Sequence, residues 1–235
     1  AIAGIAIGVV VLARLSKHIL SKKKDKILLI QNKALELSLF FSLPASLALI
    51  IGSEHIISAL FGYGSFNEIA VHNSAKALYF FAIGLPAFSL IKIFSTFFFA
   101  NHDTKTPFYI SLLSVILNVI ISIYYFKEMG FIIIPIATSI SSWFNGILLF
   151  IFLRKNNLFK FNNIFILRFI KIIIASSFMG IFFNYLLIYF QNQLSFDQSI
   201  KSFYLILSVL LGLLFYLLIS YWIKAFKTGD FKLKY

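Results

Sequence analysis

No cysteine occurs in the 235 residues, so a disulfide framework, a cysteine-ligated zinc centre and a cysteine nucleophile are all excluded. Acid is nearly as scarce: eight Asp and Glu stand against 21 Lys and Arg. The acids are scattered over loops and helix ends, and no closely spaced carboxylate pair offers itself for general acid–base work. No GxSxG, HExxH or Walker lysine loop is present either. Charged residues of both signs make up only 12 % of the chain, where a water-facing domain carries about 25 %. With 60 % hydrophobic residues and a mean hydropathy of +0.94, too little polar surface remains to coat a soluble globule. The sequence is that of an integral membrane protein.

Apolar runs fill the chain, about seven of them, each near membrane length and separated by short polar gaps. Lysine and arginine crowd into alternate gaps. The stretches around Arg14 to Lys33, Lys105, Arg154 to Lys171 and the tail from Lys224 to Lys234 hold 17 of the 21 cations, whereas Lys76, Lys127 and Lys201 fall on the other side. This is the positive-inside pattern, and it places the richer side in the cytoplasm. The net charge of +13 is split among these gaps instead of gathered on one face, which argues against nucleic-acid binding.

The first run offers only about 13 apolar residues before Arg14, short of the roughly 20 needed to cross a bilayer, and it lacks the flanks of a signal peptide. It reads as a span cut through its middle, so the expectation is the C-terminal part of a longer protein. Further spans are expected over about 34–60, 76–100, 108–126, 131–153, 164–190 and 203–223. The fold class is thus all-α, a polytopic membrane helix bundle of about seven transmembrane helices with the first one truncated. Pro44 and Pro86 fall inside spans and predict kinks, and Pro107 suits a first helical turn.

One cation, Lys92, is left inside an apolar run. It lies 16 residues beyond Lys76, roughly 24 Å along a helix, and an ammonium at that depth costs at least about 2.5 kcal/mol. Such a residue predicts an anion-binding group facing a cavity, with a snorkelling lysine as the plain alternative. Asn118 and Asn145 lie mid-span, where an amide either bridges helices or contacts a substrate. Ser111, Ser114, Ser139, Ser141 and Ser142 read as small packing residues, and Glu36 as the partner of Lys33. His18, His55, His72 and His102 sit near span ends on both sides, none with a histidine four residues on, so no metal site and no cofactor are expected. The Phe97-Phe98-Phe99 and Ile172-Ile173-Ile174 runs read as compositional bias on lipid-facing surface.

After the third span the sequence runs FSTFFFANHDTKTPFYISLLSVILNVIIS, and here it resembles the MurJ/MviN lipid II flippases: an aromatic run, an acid followed by a Lys-Thr-Pro turn (Asp103, Lys105, Thr106, Pro107), then a helix with a polar mid-span residue at Asn118. IAIGVVVLARLSKH, SLPASLAL, LFGYGSF and SSWFNGILLF follow the family's order and spacing. The resemblance implies spans eight to fourteen of a fourteen-helix transporter of the multidrug/oligosaccharidyl-lipid/polysaccharide exporter superfamily. Residues 1–155 would form the partial second lobe, and residues 156–235 the terminal helix pair and a cytoplasmic tail. It further implies alternating access in the bacterial inner membrane, a lipid-linked anionic substrate (lipid II), surrounding membrane lipids, and as partner a missing N-terminal lobe of the same chain. The substrate-binding candidates are Lys92, which the resemblance carries over as a cavity cation, with Asn118 and Asn145; Pro44, Gly84, Pro86 and Pro135 are either bending points for alternating access or static kinks. A flippase or exporter of another polyprenyl-linked glycan or of a drug stays open, as does a membrane-embedded transferase on lipid-linked sugars.

Overall fold

The structure, a computed structural model, describes residues 2–20 and 24–225, and all regular structure among them is helical. The chain forms α1 (Ile2–Leu20), α2 (Lys24–Phe61), α3 (Glu68–Ala100), α4 (Lys105–Met129), α5 (Ile133–Lys155), α6 (Asn163–Tyr189) and α7 (Lys201–Trp222). Five continuous stretches are long and apolar enough to cross a membrane. One of them, Lys105–Lys155, is α4 and α5 joined through a single 3-10 turn at Gly130–Ile132, so it folds back as a hairpin. Gly130 takes a positive φ of 60° there, a conformation that costs a residue without Cβ little. α1 stands outside the five.

Two helices outrun the spans expected for them. α2 begins at Lys24 instead of near residue 34, and α3 at Glu68 instead of near residue 76. Hydropathy marks only the part of a helix that lies in lipid, whereas backbone hydrogen bonding carries the helix on into the polar boundary. Lys33 and Glu36 then sit one turn apart and pair at 3.1 Å, as expected. Pro135 is a correction: it lies in the first turn of α5, where no intrahelical bond is lost, so it is not a bending point. Pro44 and Pro86 do lie inside α2 and α3. Lys22 and Lys23 of the first basic gap, and the tail lysines Lys227, Lys232 and Lys234, lie outside the described residues.

Contacts gather the chain into two compact units, Ala1–Ser42 with Ile83–Leu167 and Leu43–Ala82 with Arg168–Tyr235. Both α2 and α3 thus pass from one unit to the other within a few residues of a proline. The division at 155/156 drawn from the sequence follows span number and is a different partition.

Aromatic rings fill the core of the first unit. Phe97 and Phe98 are fully buried while Phe99 is exposed, so two thirds of that run is core and not lipid-facing surface. Phe159, from the connection between α5 and α6, stacks on Phe97 at 5.7 Å and meets Phe161 edge-on at 5.0 Å. Two neighbouring amides on α2 pin the same connection: Gln31 donates to the Leu158 carbonyl at 2.9 Å, and Asn32 donates to the Lys160 carbonyl at 2.9 Å while accepting from Asn162 N–H at 3.1 Å. In the α4–α5 seam Asn118 donates to Thr138 Oγ1 at 3.1 Å and to Ser141 Oγ at 3.3 Å.

In the second unit, small residues let helices close up. A Cβ at Gly52 would stand 2.9 Å from the Phe183 ring, so α2 and α6 meet there at a distance only glycine permits. Phe182 of α6 stacks on Phe215 of α7 at 4.2 Å, and Ser46 Oγ donates to the Ala82 carbonyl at 2.6 Å between α2 and α3. The start of α7 closes on the end of α2. Lys201, 1 % exposed, donates to the carbonyls of Gly62 and Phe196, both at 2.7 Å, and its ammonium lies over the rings of Tyr63 (4.4 Å) and Phe196 (4.5 Å). Ser202 Oγ adds a bond to the Ala59 carbonyl at 2.6 Å. A cation and a hydroxyl thereby satisfy carbonyls at the negative end of α2 that no later helical turn can reach.

Candidate functional site

Lys92 projects from the first unit into a cavity of about 660 Å³ formed by α1, α3 and α4. Each helix contributes one stripe. On α3 it is Lys92, Ser95, Thr96 and Phe99; on the turn leading into α4 and on α4 itself it is Thr104, Pro107, Phe108 and Ser111. Both sets follow the i, i+3, i+4, i+7 spacing that keeps side chains on one helix face. Gly8 and Leu12 of α1 complete the wall, and a Cβ at Gly8 would stand 3.3 Å from Thr96 Oγ1.

The polar groups in this cavity are unequally committed. Thr96 Oγ1 is turned back onto the Lys92 carbonyl at 2.8 Å. Ser111 Oγ accepts from Asn145 Nδ2 at 3.5 Å, the outer limit of a hydrogen bond, which leaves its own proton to donate. Ser95 and Thr104 line the cavity, and Thr104 makes no side-chain cap to α4. Lys92 is exposed, and among the described residues its ammonium has no carboxylate partner. The result is one positive charge without a carboxylate partner in a cavity lined by hydroxyl-bearing side chains, a chemistry able to accept the oxygens of an anion.

Asp103, in the turn before α4, accepts from Thr106 N–H at 3.0 Å, fixing the start of α4. Burial works to raise its carboxyl, but the N–H groups of Thr106 and Lys105, the Thr106 hydroxyl and the Lys105 charge outweigh it and hold the carboxyl below its usual value. The turn therefore keeps its full contribution above the ordinary Asp pKa, about 3.9, and loses it only as pH falls through the lowered folded value.

Of the three residues singled out in the sequence, the structure brings only Lys92 to the cavity. Asn145, 7 % exposed, stands one layer behind it through Ser111. Asn118 bridges α4 to α5. Ser95 and Thr104 had not been picked out, though their helical spacing from Lys92 and from Ser111 was in the sequence to be read. Among the described residues no group of three or more His, Asp or Glu is placed to hold a metal.

The family model described as "Lipid II flippase MurJ" matches residues 1–206. A probable lipid II flippase MurJ of Rickettsia prowazekii (strain Madrid E) is 36 % identical over 156 residues, which is 66 % of this chain and 31 % of that protein. One from Rhizobium tropici is 29 % identical over 230 residues, 97 % of this chain and 43 % of its own length. A solved structure titled "Lipid II flippase MurJ, inward closed conformation" superposes with a TM-score of 0.73 at 27 % identity, over 93 % of this chain and 42 % of that one. The chain thus spans about a third to two fifths of the length of these relatives.

Proposed function

The chain belongs to the lipid II flippase MurJ family, and from that premise we propose that it supplies the second lobe and the terminal helix pair of a transporter that moves lipid II across the bacterial inner membrane. The chain is a multi-pass membrane protein, and membership of this family makes it part of a transporter with a lipid-linked substrate. The finer reading is that residues 1–155 form the lobe facing the substrate, that residues 156–235 form the pair beside it, and that the tail is cytoplasmic.

The cavity at Lys92 carries this reading. A diphosphate leaving water needs a cation and donors to replace its hydration, and an ammonium in a poorly screened setting attracts it more strongly than one in bulk water. Lys92 provides the charge, while Ser95, Thr104 and Ser111 provide donors. Asn145 orients Ser111, and Asn118 holds α4 against α5 so that the wall keeps its shape. Pro44 and Pro86, at the points where α2 and α3 change unit, serve as bending points for alternating access.

Two measurements test it. In the full-length protein, cysteines introduced as Ser95→Cys or Ser111→Cys should react faster with an anionic thiosulfonate than with a neutral reagent, and added lipid II should slow the reaction. Equal labelling with and without lipid II would remove the cavity from the substrate path. Orientation is checked separately, and these 235 residues add no cysteine of their own to the labelling. Asn67→Cys, between α2 and α3, should label from outside intact cells with an impermeant reagent, whereas Lys24→Cys should stay protected, and the reverse pattern would invert the topology.

A further inference from the structure

A second cavity, of about 540 Å³, lies in the second unit among the far end of α2, the first turns of α3 and the connection between α6 and α7. We propose that it binds a primary ammonium group. Its wall gathers Glu54, His55, Glu68 and His72, which is two of the eight acids and two of the four histidines of a chain otherwise dominated by cations. No lysine or arginine lines it. Lys201, in the same unit, has its ammonium held by the Gly62 and Phe196 carbonyls, and Lys76 stands one turn beyond His72 on α3, outside the lining.

Hydrogen-bonding capacity points to the ligand class. His72 Nδ1 and Glu54 Oε1 are 3.5 Å apart, both side chains more than half exposed, so neither is locked by the other. Ser58, 6 % exposed, lines the same cavity and its hydroxyl has no partner; the buried Nδ1 of His55 has none either. The wall therefore offers two carboxylates, and the Ser58 hydroxyl and His55 Nδ1 lie buried in the same lining residues with no partner. A primary ammonium brings one positive charge and three N–H donors on a narrow head, so it meets the charge and the unpartnered acceptors together. A quaternary ammonium carries the charge but donates nothing. A metal ion lacks the ligand geometry, since no group of three such residues is placed to hold one among the described residues. Leu194 and Phe196 give the carbon stem of an alkylamine an apolar wall. By the positive-inside assignment this end faces outward, where the ammonium is supplied either by a free amine or by an amine carried on the transported lipid. The proposal stands apart from the reading of the Lys92 cavity.

The test uses the full-length protein in lipid nanodiscs with isotope-labelled histidine, and reads the imidazole resonances by NMR. Titration with cadaverine should shift the His55 and His72 signals saturably and leave His18 and His102 unmoved. Glu54→Gln/Glu68→Gln should weaken the response at least tenfold, and Ser58→Ala, which keeps both carboxylates, about threefold. Tetramethylammonium at equal concentration should shift nothing. Equal shifts from tetramethylammonium, or an unchanged cadaverine response in the double variant, would overturn the proposal. Cadaverine active while an amine-bearing lipid substrate is silent supports a site for free amines. Shifts by that substrate which vanish on acetylation of its amine support a substrate-borne one.

Discussion

Lys92→Leu in the full-length protein is expected to abolish rescue of a flippase-depleted strain while the protein still accumulates in the membrane. The two halves of this result separate binding from biogenesis. Leucine at mid-span is more favourable to insertion than lysine by roughly 3 kcal/mol, so loss of rescue cannot come from a helix that failed to enter the bilayer. What it removes is the single charge in a cavity whose other polar groups are hydroxyls. Lys92→Arg should keep part of the activity, because charge persists while the guanidinium presents its donors in a fixed plane. Growth and immunoblotted membrane levels are the readouts. Growth of the Leu variant at the unmodified rate would show that the ammonium only snorkels.

Lys201→Met should lower stability by about 2 kcal/mol. The substitution strands the Gly62 and Phe196 carbonyls, at about 1–3 kcal/mol for each buried polar group left unpaired, and gives up two ring contacts worth about 0.5–2 kcal/mol each. Recovery of the desolvation cost of a buried ammonium offsets part of that loss. Lys201→Arg should not restore the loss, since a planar fork does not reproduce a compact ammonium between two rings. The midpoint of helix loss on titration with SDS measures the effect, and a Met variant as stable as the unmodified protein would mean the carbonyls find other partners.

These two lysines also mark where the sequence was legible. Lys92 stood out because a lone charge in an apolar run has a large cost whatever surrounds it, and the alternation of apolar runs with polar gaps gave the spans. Lys201 was counted as one more loop charge. Its burial depends on a carbonyl 139 positions away and on two rings that come together only in the fold. Ser95 and Thr104 were passed over, and Ser111 was read as a packing residue, for a related reason: a hydroxyl in a membrane helix serves packing as readily as binding, and nothing local to it tells the two apart. The buried pair Phe97 and Phe98 looked like lipid-facing surface because lipid and core select the same side chains.

The strap between α2 and the connection of α5 to α6 has a consequence for how the protein is made. Gln31 and its acceptor Leu158 are 127 residues apart. At a synthesis rate of about 5–20 residues per second, roughly 6–25 s pass after Gln31 has been made before the segment it must grip exists. Through that interval the Gln31 and Asn32 amides have only water, lipid headgroups or their own helix to bond with, and Phe159 is not yet there to fill the gap beside Phe97. The end of the first unit where α2 meets the α5–α6 connection is accordingly the last part of it to close. Peptide insertions at residues 157–161 should therefore trap the chain with all preceding helices in the bilayer and that end still open to proteases.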